Sequence, residues 1–218
     1  FGGITVLFFL PPPVSILHGI LAQTFFMITI VLAYGLSIER SKRTEISGPS
    51  GVKRGAVIMC GLVYVQLILG ALMRHTASGM AIPDFPTMGG LWIPTFSETM
   101  IHNINSTLFD LDIDPVSQGQ VVIHFIHRLG AIIVTGSIGF FGYKYGSFVK
   151  ENKLAFAAMV SIIGIVILQF SLGAITVLSE RSPYIASFHV VTGAALLGAC
   201  TLFILRTHPM KWMDWRNG

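Results

Sequence analysis

The residues best suited to chemistry in this sequence are two histidines and an arginine in the otherwise apolar stretch VVIHFIHRLG, residues 121–130. His124 and His127 are three residues apart, so on a helix both imidazoles would lie on one face. Imidazole is a common ligand of haem iron, and a guanidinium such as that of Arg128 can pair with a carboxylate through two hydrogen bonds. If this stretch crosses a membrane, all three side chains become candidates for a functional site.

The composition places the stretch in a membrane protein. Of 218 residues, 53% are hydrophobic and 11% are charged, whereas about 25% of the residues of a soluble domain are charged. Several apolar segments reach the roughly 20 residues that a membrane-spanning helix needs. We therefore predict an all-α, polytopic membrane helical bundle with spans near residues 13–36, 55–74, 121–142, 155–178 and 184–205.

The basic residues predict how this bundle is oriented. Of 14 Lys and Arg residues, 11 fall in the links 38–54 and 143–154 or at the C-terminus from Arg206 onward, and none falls in 75–120. The positive-inside rule then predicts a multi-pass protein of the cell (inner) membrane, with both links and the C-terminus cytoplasmic. Because topology explains these short basic clusters, the net charge of +4 does not indicate a nucleic-acid partner.

An internal repeat predicts how the chain is divided. The sequence ITVL at 4–7 recurs at 175–178, and Pro12 and His18 match Pro183 and His189, all at an offset of 171 residues. A weaker repeat relates QLILGA (66–71) to QFSLGA (169–174). We infer four-helix-bundle repeats that arose by internal duplication. The predicted parts are the incomplete end of a first bundle (1–37), a basic cytoplasmic linker (38–54), a complete C-terminal bundle (55–206) and a tail (207–218).

On this interpretation, two helices and most of a third would precede Phe1, and both a fragment and a naturally short protein fit the pattern. The only two cysteines, Cys60 and Cys200, fall within apolar segments, so we predict buried free thiols.

Three of the predicted inward-running helices have a histidine six residues from their predicted outer ends, namely His18, His127 and His189. At a helical rise of 1.5 Å per residue, each histidine would lie about 9 Å into its helix, so the three would share one depth. Two such histidines on different helices of a bundle can supply both axial ligands of a six-coordinate haem, and we predict this role for His127 and His189. For His18, an interhelical hydrogen bond remains an alternative. For Arg128, the alternative is that its side chain extends toward the lipid headgroups.

Four stretches of the chain resemble the haem A synthase family: LGALMRHTASGMAIPDFPTMGG (69–90), HFIHRLGA (124–131), QFSLGAITVL (169–178) and FHVVTGAALLG (188–198). The resemblance covers the whole chain, as the last five of the family's eight helices and the end of the third. It implies a membrane oxidoreductase that converts haem O to haem A for cytochrome oxidase, by oxidation of a haem methyl group to a formyl group.

The resemblance also implies roles for particular residues. His127 and His189 match a pair that binds the iron of a permanent haem b, and His18 matches a ligand to the iron of the substrate haem. The family's catalytic glutamate would lie upstream of this chain, and His124 occupies the corresponding place in the C-terminal half. With Arg128, His124 completes the predicted cofactor-binding set. Where many bacterial members have a cysteine pair, this sequence has Ile82 and Met88, so we expect no thiol-dependent transfer here.

The partners that the resemblance implies are haem O, haem A, the lipid bilayer, haem O synthase and cytochrome oxidase assembly proteins, and a homo-oligomer stays open. Two other functions fit the same histidines. One is a membrane cytochrome b that only relays electrons, and the other is a haem-binding assembly subunit without catalysis. A Glu-x-x-His-Arg pattern in an upstream helix would favour the synthase. We expect Asp84, which lies in the sequence PDFP, to shape the outer loop.

Overall fold

The structure, a computed structural model, describes residues 12–41 and 49–207. Predictions that concern the ITVL sequence at 4–7, the middle of the basic linker or the tail from 208 onward lie outside the described residues. The helices are α1 (Pro12–Gly35), the short α2 (Ile38–Ser41), α3 (Ser50–His75), α4 (Glu98–Asp110), α5 (Gln118–Lys150), α6 (Lys153–Leu178) and α7 (Pro183–Thr207), with a 3-10 turn at Ser78–Met80.

Five of these helices, α1, α3, α5, α6 and α7, are long and apolar enough to cross a membrane. Helices α3, α5, α6 and α7 form a closed four-helix bundle in that order, because α7 also packs against α3. Its core includes Met59, Phe141, Ile162 and Phe203, and Cys60 and Cys200 are buried there as free thiols. These helices confirm the predicted all-α, multi-pass membrane fold, whereas the internal duplication stays a prediction.

Helix α1 lies outside the bundle, where it packs against α3 and α7. A hydrogen bond of 2.6 Å joins the hydroxyl groups of Thr24 on α1 and Tyr64 on α3. Farther along the chain, Arg206 near the end of α7 donates to both carboxylate oxygens of Glu39 on α2, each at 2.8 Å. The segment that follows α1 is therefore attached to the bundle by an ion pair.

Two helices extend well beyond the apolar segments that predicted them. Helix α3 begins at Ser50, and α5 continues to Lys150, so the predicted link 143–154 is mostly helical. The polar ends of these helices pack together. A Cβ atom at Gly55 would lie only 2.7 Å from the ring of Phe141, and the Tyr145 side chain packs against Gly51 in the same way. This packing stabilises helix beyond the length that the membrane requires.

The link between α3 and α5 contains a helix that the sequence analysis missed. Helix α4 buries Met100, Ile104 and Leu108 in a second, smaller core together with Ile82 and Val121. The Ser97 hydroxyl caps the helix by accepting a hydrogen bond from the Met100 amide at 3.2 Å. We call this end of the bundle the loop end, and the opposite end, which carries most of the basic residues that the structure describes, the basic end.

Candidate functional site

His127 on α5 is held by two residues of α3. Its Nδ1 atom lies 3.2 Å from Gln66 Nε2, which also donates to the His127 carbonyl oxygen at 2.8 Å. One turn farther along α3, Gly70 faces the ring, and a Cβ atom there would lie 3.3 Å from His127 Cε1. Within residues 12–41 and 49–207, the Nε2 atom of His127 makes no hydrogen bond. The contacts therefore fix one edge of the imidazole and leave one ring nitrogen available.

His189 on α7 is held in a similar way by two residues of α6. Its Nε2 atom lies 3.5 Å from Gln169 Nε2, and a Cβ atom at Gly173 would lie 3.1 Å from His189 Cε1. The Nδ1 atom of His189 is buried and has no hydrogen-bond partner among the described residues.

These two groups, which we call the α3–α5 half-site (Gln66, Gly70, His127) and the α6–α7 half-site (Gln169, Gly173, His189), lie at one level of the bundle. Gly193, one turn after His189, shows this. A Cβ atom there would lie 3.1 Å from Gln169 Nε2 and 3.0 Å from Leu67, which is adjacent to Gln66 in the other half-site. The weaker sequence repeat, QLILGA and QFSLGA, was the signal for this arrangement, although the sequence alone did not reveal which side chains the glutamines contact.

The two half-sites fit a haem with two axial imidazoles. Each imidazole has a ring nitrogen without a hydrogen bond in the described part of the chain. A buried polar atom without a partner is unusual and often indicates a missing ligand. No group of three or more His, Cys, Asp or Glu side chains that could hold a bare metal ion occurs among these residues. Two imidazoles suffice for haem, because the porphyrin supplies the other ligands of its iron.

His124 and Arg128 connect α5 to the loop that follows α3. The His124 side chain is buried, and its Nε2 atom accepts a hydrogen bond from Arg128 Nε at 3.0 Å. Arg128 also donates to the carbonyl oxygens of Ile82, Asp84 and Thr87 at 2.8, 2.9 and 3.0 Å. Four of the five N–H groups of a guanidinium are thereby used, which leaves one Nη2 hydrogen without a partner in the described structure.

Asp84 shapes the same loop. Its carboxylate accepts hydrogen bonds from the amides of Gly89 at 2.7 Å and Gly90 at 2.9 Å, two residues with left-handed φ values of 65° and 79°. Partial burial raises the pKa of the Asp84 carboxyl, but hydrogen bonds from Thr87, Gly90 and Gly89 outweigh that effect and lower the pKa below its ordinary value. These bonds support a role in loop structure, as expected from the sequence.

Phe85 extends the loop across the bundle toward α6. Its ring lies 5.8 Å from the Arg128 guanidinium carbon and contacts Phe170 edge-on, with ring centroids 6.3 Å apart. Phe170 is adjacent to Gln169 in α6, so the loop reaches from one half-site to the neighbourhood of the other.

His18 is exposed on α1, and no hydrogen bond joins its side chain to the described residues. The next residue, Gly19, would place a Cβ atom 3.9 Å from the Cβ of Ala71, which is adjacent to Gly70. His18 therefore lies near the level of the half-sites, as predicted, but the described contacts do not bring it into either of them. Its role toward a substrate haem stays a prediction.

Comparisons with known proteins agree with the resemblance. The sequence model of the family COX15-CtaA, described as "Cytochrome oxidase assembly protein", matches residues 1–201. Three relatives are named heme A synthase. The protein of Orientia tsutsugamushi (strain Boryong) is 27% identical over 88% of this chain and 51% of its own length. That of Neorickettsia sennetsu is 28% identical over 86% and 52%, and that of Rickettsia massiliae is 33% identical over 62% and 37%.

The chain thus spans about half the length of the Orientia and Neorickettsia proteins that it matches. The matched region includes α1, α3, α5, α6, most of α7 and both half-sites. The chain belongs to the COX15-CtaA family of cytochrome oxidase assembly proteins, the family of the haem A synthases.

Proposed function

We propose that this chain forms the C-terminal part of a haem A synthase, an enzyme that oxidises a methyl group of haem O to the formyl group of haem A. Within it, His127 and His189 would bind the iron of a haem b that carries electrons to the oxidation site. The observation that carries this proposal is the pair of half-sites, in which each of two imidazoles at one level of an apolar bundle has a ring nitrogen without a hydrogen bond to the described residues.

The chain's own residues would bind the haem, orient its ligands and exclude water. Haem b would supply one-electron transfer. Gly70 and Gly173 leave room for the imidazoles, because a Cβ atom at either position would press on a ring carbon. His124 and Arg128 would hold the loop over the edge of the site, and the remaining Nη2 hydrogen of Arg128 is the donor available to a haem propionate.

The remaining assignments rest on the sequence and the family. His18 would bind the iron of the substrate haem from α1, with the catalytic glutamate outside this chain. The basic end of the bundle would face the cytoplasm, with the protein in the cell (inner) membrane. The links 38–54 and 143–154 and the C-terminus would then be cytoplasmic, because 11 of the 14 basic residues of the sequence fall in them. Haem O synthase, cytochrome oxidase assembly proteins and a second copy of the chain are the partners to test.

The first experiment tests the haem ligands. The protein is purified with bound haem, and its optical spectrum is compared with those of His127→Ala and His189→Ala. Each substitution removes one axial nitrogen, so each variant should lose the low-spin bis-imidazole spectrum. His102→Ala on α4, which alters an exposed histidine of the loop end, is the control and should keep the spectrum. Retention of the full spectrum by either bundle variant would refute the assignment.

A membrane cytochrome b that only relays electrons is the second candidate, because the same half-sites would serve it equally well. To discriminate between the two functions, a protein that contains this chain and has the length of the Orientia relative is co-expressed with a source of haem O. The haem is then extracted and identified. Formation of haem A supports the synthase. An intact bis-imidazole spectrum without haem A would favour the electron relay.

A further inference from the structure

Helix α3 presents one row of small and apolar residues to the interior of the bundle. Its members recur every three or four residues, the spacing that keeps one face of a helix toward its neighbours. The members nearest the basic end are buried in the core, and the last ones lie at the level of the half-sites. We call this row the α3 seam, and it consists of Ala56, Cys60, Val63, Leu67 and Gly70.

Arg74 occupies the next position of the α3 seam, four residues after Gly70 and one turn closer to the loop end. Arg74 is exposed, and its guanidinium forms no ion pair or hydrogen bond with the described residues. On α6, the offset that relates Gln66 to Gln169 places Val177 at the corresponding position, and Val177 is buried. An apolar side chain thus satisfies the packing at this level of the bundle. A charged group on an interior-facing row therefore requires another explanation.

The explanation follows from the charge that a haem would bring into the bundle. The propionates of a haem lie at one edge of the porphyrin, and carboxylates are costly to bury in hydrocarbon, so that edge should face the nearer aqueous end. Gly70, which lies against the His127 ring, is five residues from the end of α3 at His75 and 20 from its start at Ser50. At 1.5 Å per residue these separations are roughly 7.5 Å and 30 Å. The propionates would therefore face the loop end, where Arg74 lies.

We propose that Arg74 binds a propionate of the haem through both arms of its guanidinium. This inference rests on the proposed haem b site. A guanidinium presents paired N–H groups that match the two oxygens of a carboxylate. Arg128 cannot form such a pair while it holds the loop, because its bonds to His124 and to three carbonyl groups leave a single N–H. All five N–H groups of Arg74 are without a partner in the described structure.

The test makes the haem carboxylates the variable. The haem-loaded protein is depleted of haem and titrated in detergent with haem b or with its dimethyl ester, whose carboxyl groups carry no charge. The unmodified protein is compared with Arg74→Leu, which removes the charge, and with Arg74→Lys, which keeps the charge but not the planar fork. The matched control is Arg181→Leu, at a second exposed arginine of the loop end, whose Cδ atom would lie 3.6 Å from a Cβ atom at Gly79.

We expect Arg74→Leu to weaken the binding of haem b by roughly 10- to 100-fold, because charge-assisted hydrogen bonds are lost. The same variant should bind the dimethyl ester as the unmodified protein does. Arg74→Lys should give an intermediate loss with haem b, and Arg181→Leu should bind both haems normally.

Three results would overturn the inference: normal binding of haem b by Arg74→Leu, an equal loss of affinity for both haems, or an equal loss of haem b binding in Arg181→Leu. If Arg74→Leu does not fold, the ratio of the two affinities in Arg74→Lys decides the question. A ratio equal to that of the unmodified protein would also overturn the inference.

The two proposals fail in different ways. Absence of a bis-imidazole spectrum in the unmodified protein, or its retention by His127→Ala, would overturn the proposed haem b site and this inference with it. A normal spectrum, together with a preference for haem b over its dimethyl ester that does not respond to either Arg74 variant, would overturn the role of Arg74 alone.

Discussion

The two half-sites share a framework but differ in what surrounds it at the loop end. Next to His127 on α5 are His124 and Arg128, which bind each other; Arg128 also donates to carbonyl groups of the loop, and His124 accepts a hydrogen bond from the Ile82 amide. The corresponding positions beside His189 on α7 are Ala186 and Val190, and Val190 is 47% exposed. The common framework would provide the same ligand twice, whereas only the α3–α5 half-site is covered by a polar network.

A second difference concerns the groups that contact each imidazole. His127 is contacted by the side chain of Gln66, which a substitution can remove. His189 is contacted by the side-chain nitrogen of Gln169 at a longer distance, 3.5 Å, and the side-chain oxygen of Gln169 accepts a hydrogen bond from Thr192. We therefore expect the same type of substitution to have different effects on the bound haem in the two half-sites, wherever the contacts of the two imidazoles differ.

The largest expected effect is one that both half-sites share. Gly70→Val and Gly173→Val place methyl groups against rings that a Cβ atom alone would approach to 3.3 and 3.1 Å. Each variant should therefore lose the six-coordinate low-spin spectrum of the haem-loaded protein. The controls are Gly61→Val and Gly164→Val on the same two helices, where an added Cβ would meet nothing within 4 Å. A normal spectrum in either glycine-site variant would show that the imidazoles do not lie where the structure has them.

The next effect should be confined to the α3–α5 half-site. Arg128→Leu removes four hydrogen bonds and leaves three loop carbonyls and the Nε2 atom of His124 without this donor, which should cost on the order of 3 kcal/mol. Thermal unfolding in detergent and protease cleavage within residues 82–90 would measure the loss. Val190→Leu, at the corresponding position of α7, should change neither. Equal stability of the two variants would refute the structural role of the arginine.

The smallest expected effect sharpens the contrast between the two glutamines. Gln169→Leu should shift the reduction potential of the haem-loaded protein less than Gln66→Leu does, because the side-chain nitrogen of Gln169 lies farther from its imidazole nitrogen, at 3.5 Å against 3.2 Å for Gln66. Thr192→Val should have a smaller effect still, since it removes the partner of the Gln169 oxygen but leaves the Gln169 nitrogen beside the imidazole. Potentiometric titration of the three variants side by side measures this order. A larger shift in potential for Gln169→Leu than for Gln66→Leu would contradict the closer side-chain contact at His127.

The sequence predicted the helices of the bundle and the level of His127 and His189 because both depend on local periodicity and on membrane thickness. It did not predict α4, since only the spacing of Met100, Ile104 and Leu108 marks that helix within a link that otherwise attracts attention for its acidic residues. It also did not predict that Arg128 binds the loop, and the contact of Arg128 with a haem carboxylate stays a prediction. The carbonyl groups that Arg128 binds lie 41 to 46 residues away, and only the folded loop brings them near.

The ion pair between Glu39 and Arg206 has a consequence for electron flow. Together with the bond between Thr24 and Tyr64, it prevents α1 from sliding along the bundle, because one attachment lies within the helix and the other just after its end. The depth of His18 relative to His127 and His189 is thereby fixed. Electron tunnelling rates fall steeply with distance, so on the proposed function these two attachments act as a spacer that keeps the donor and acceptor haems within tunnelling range.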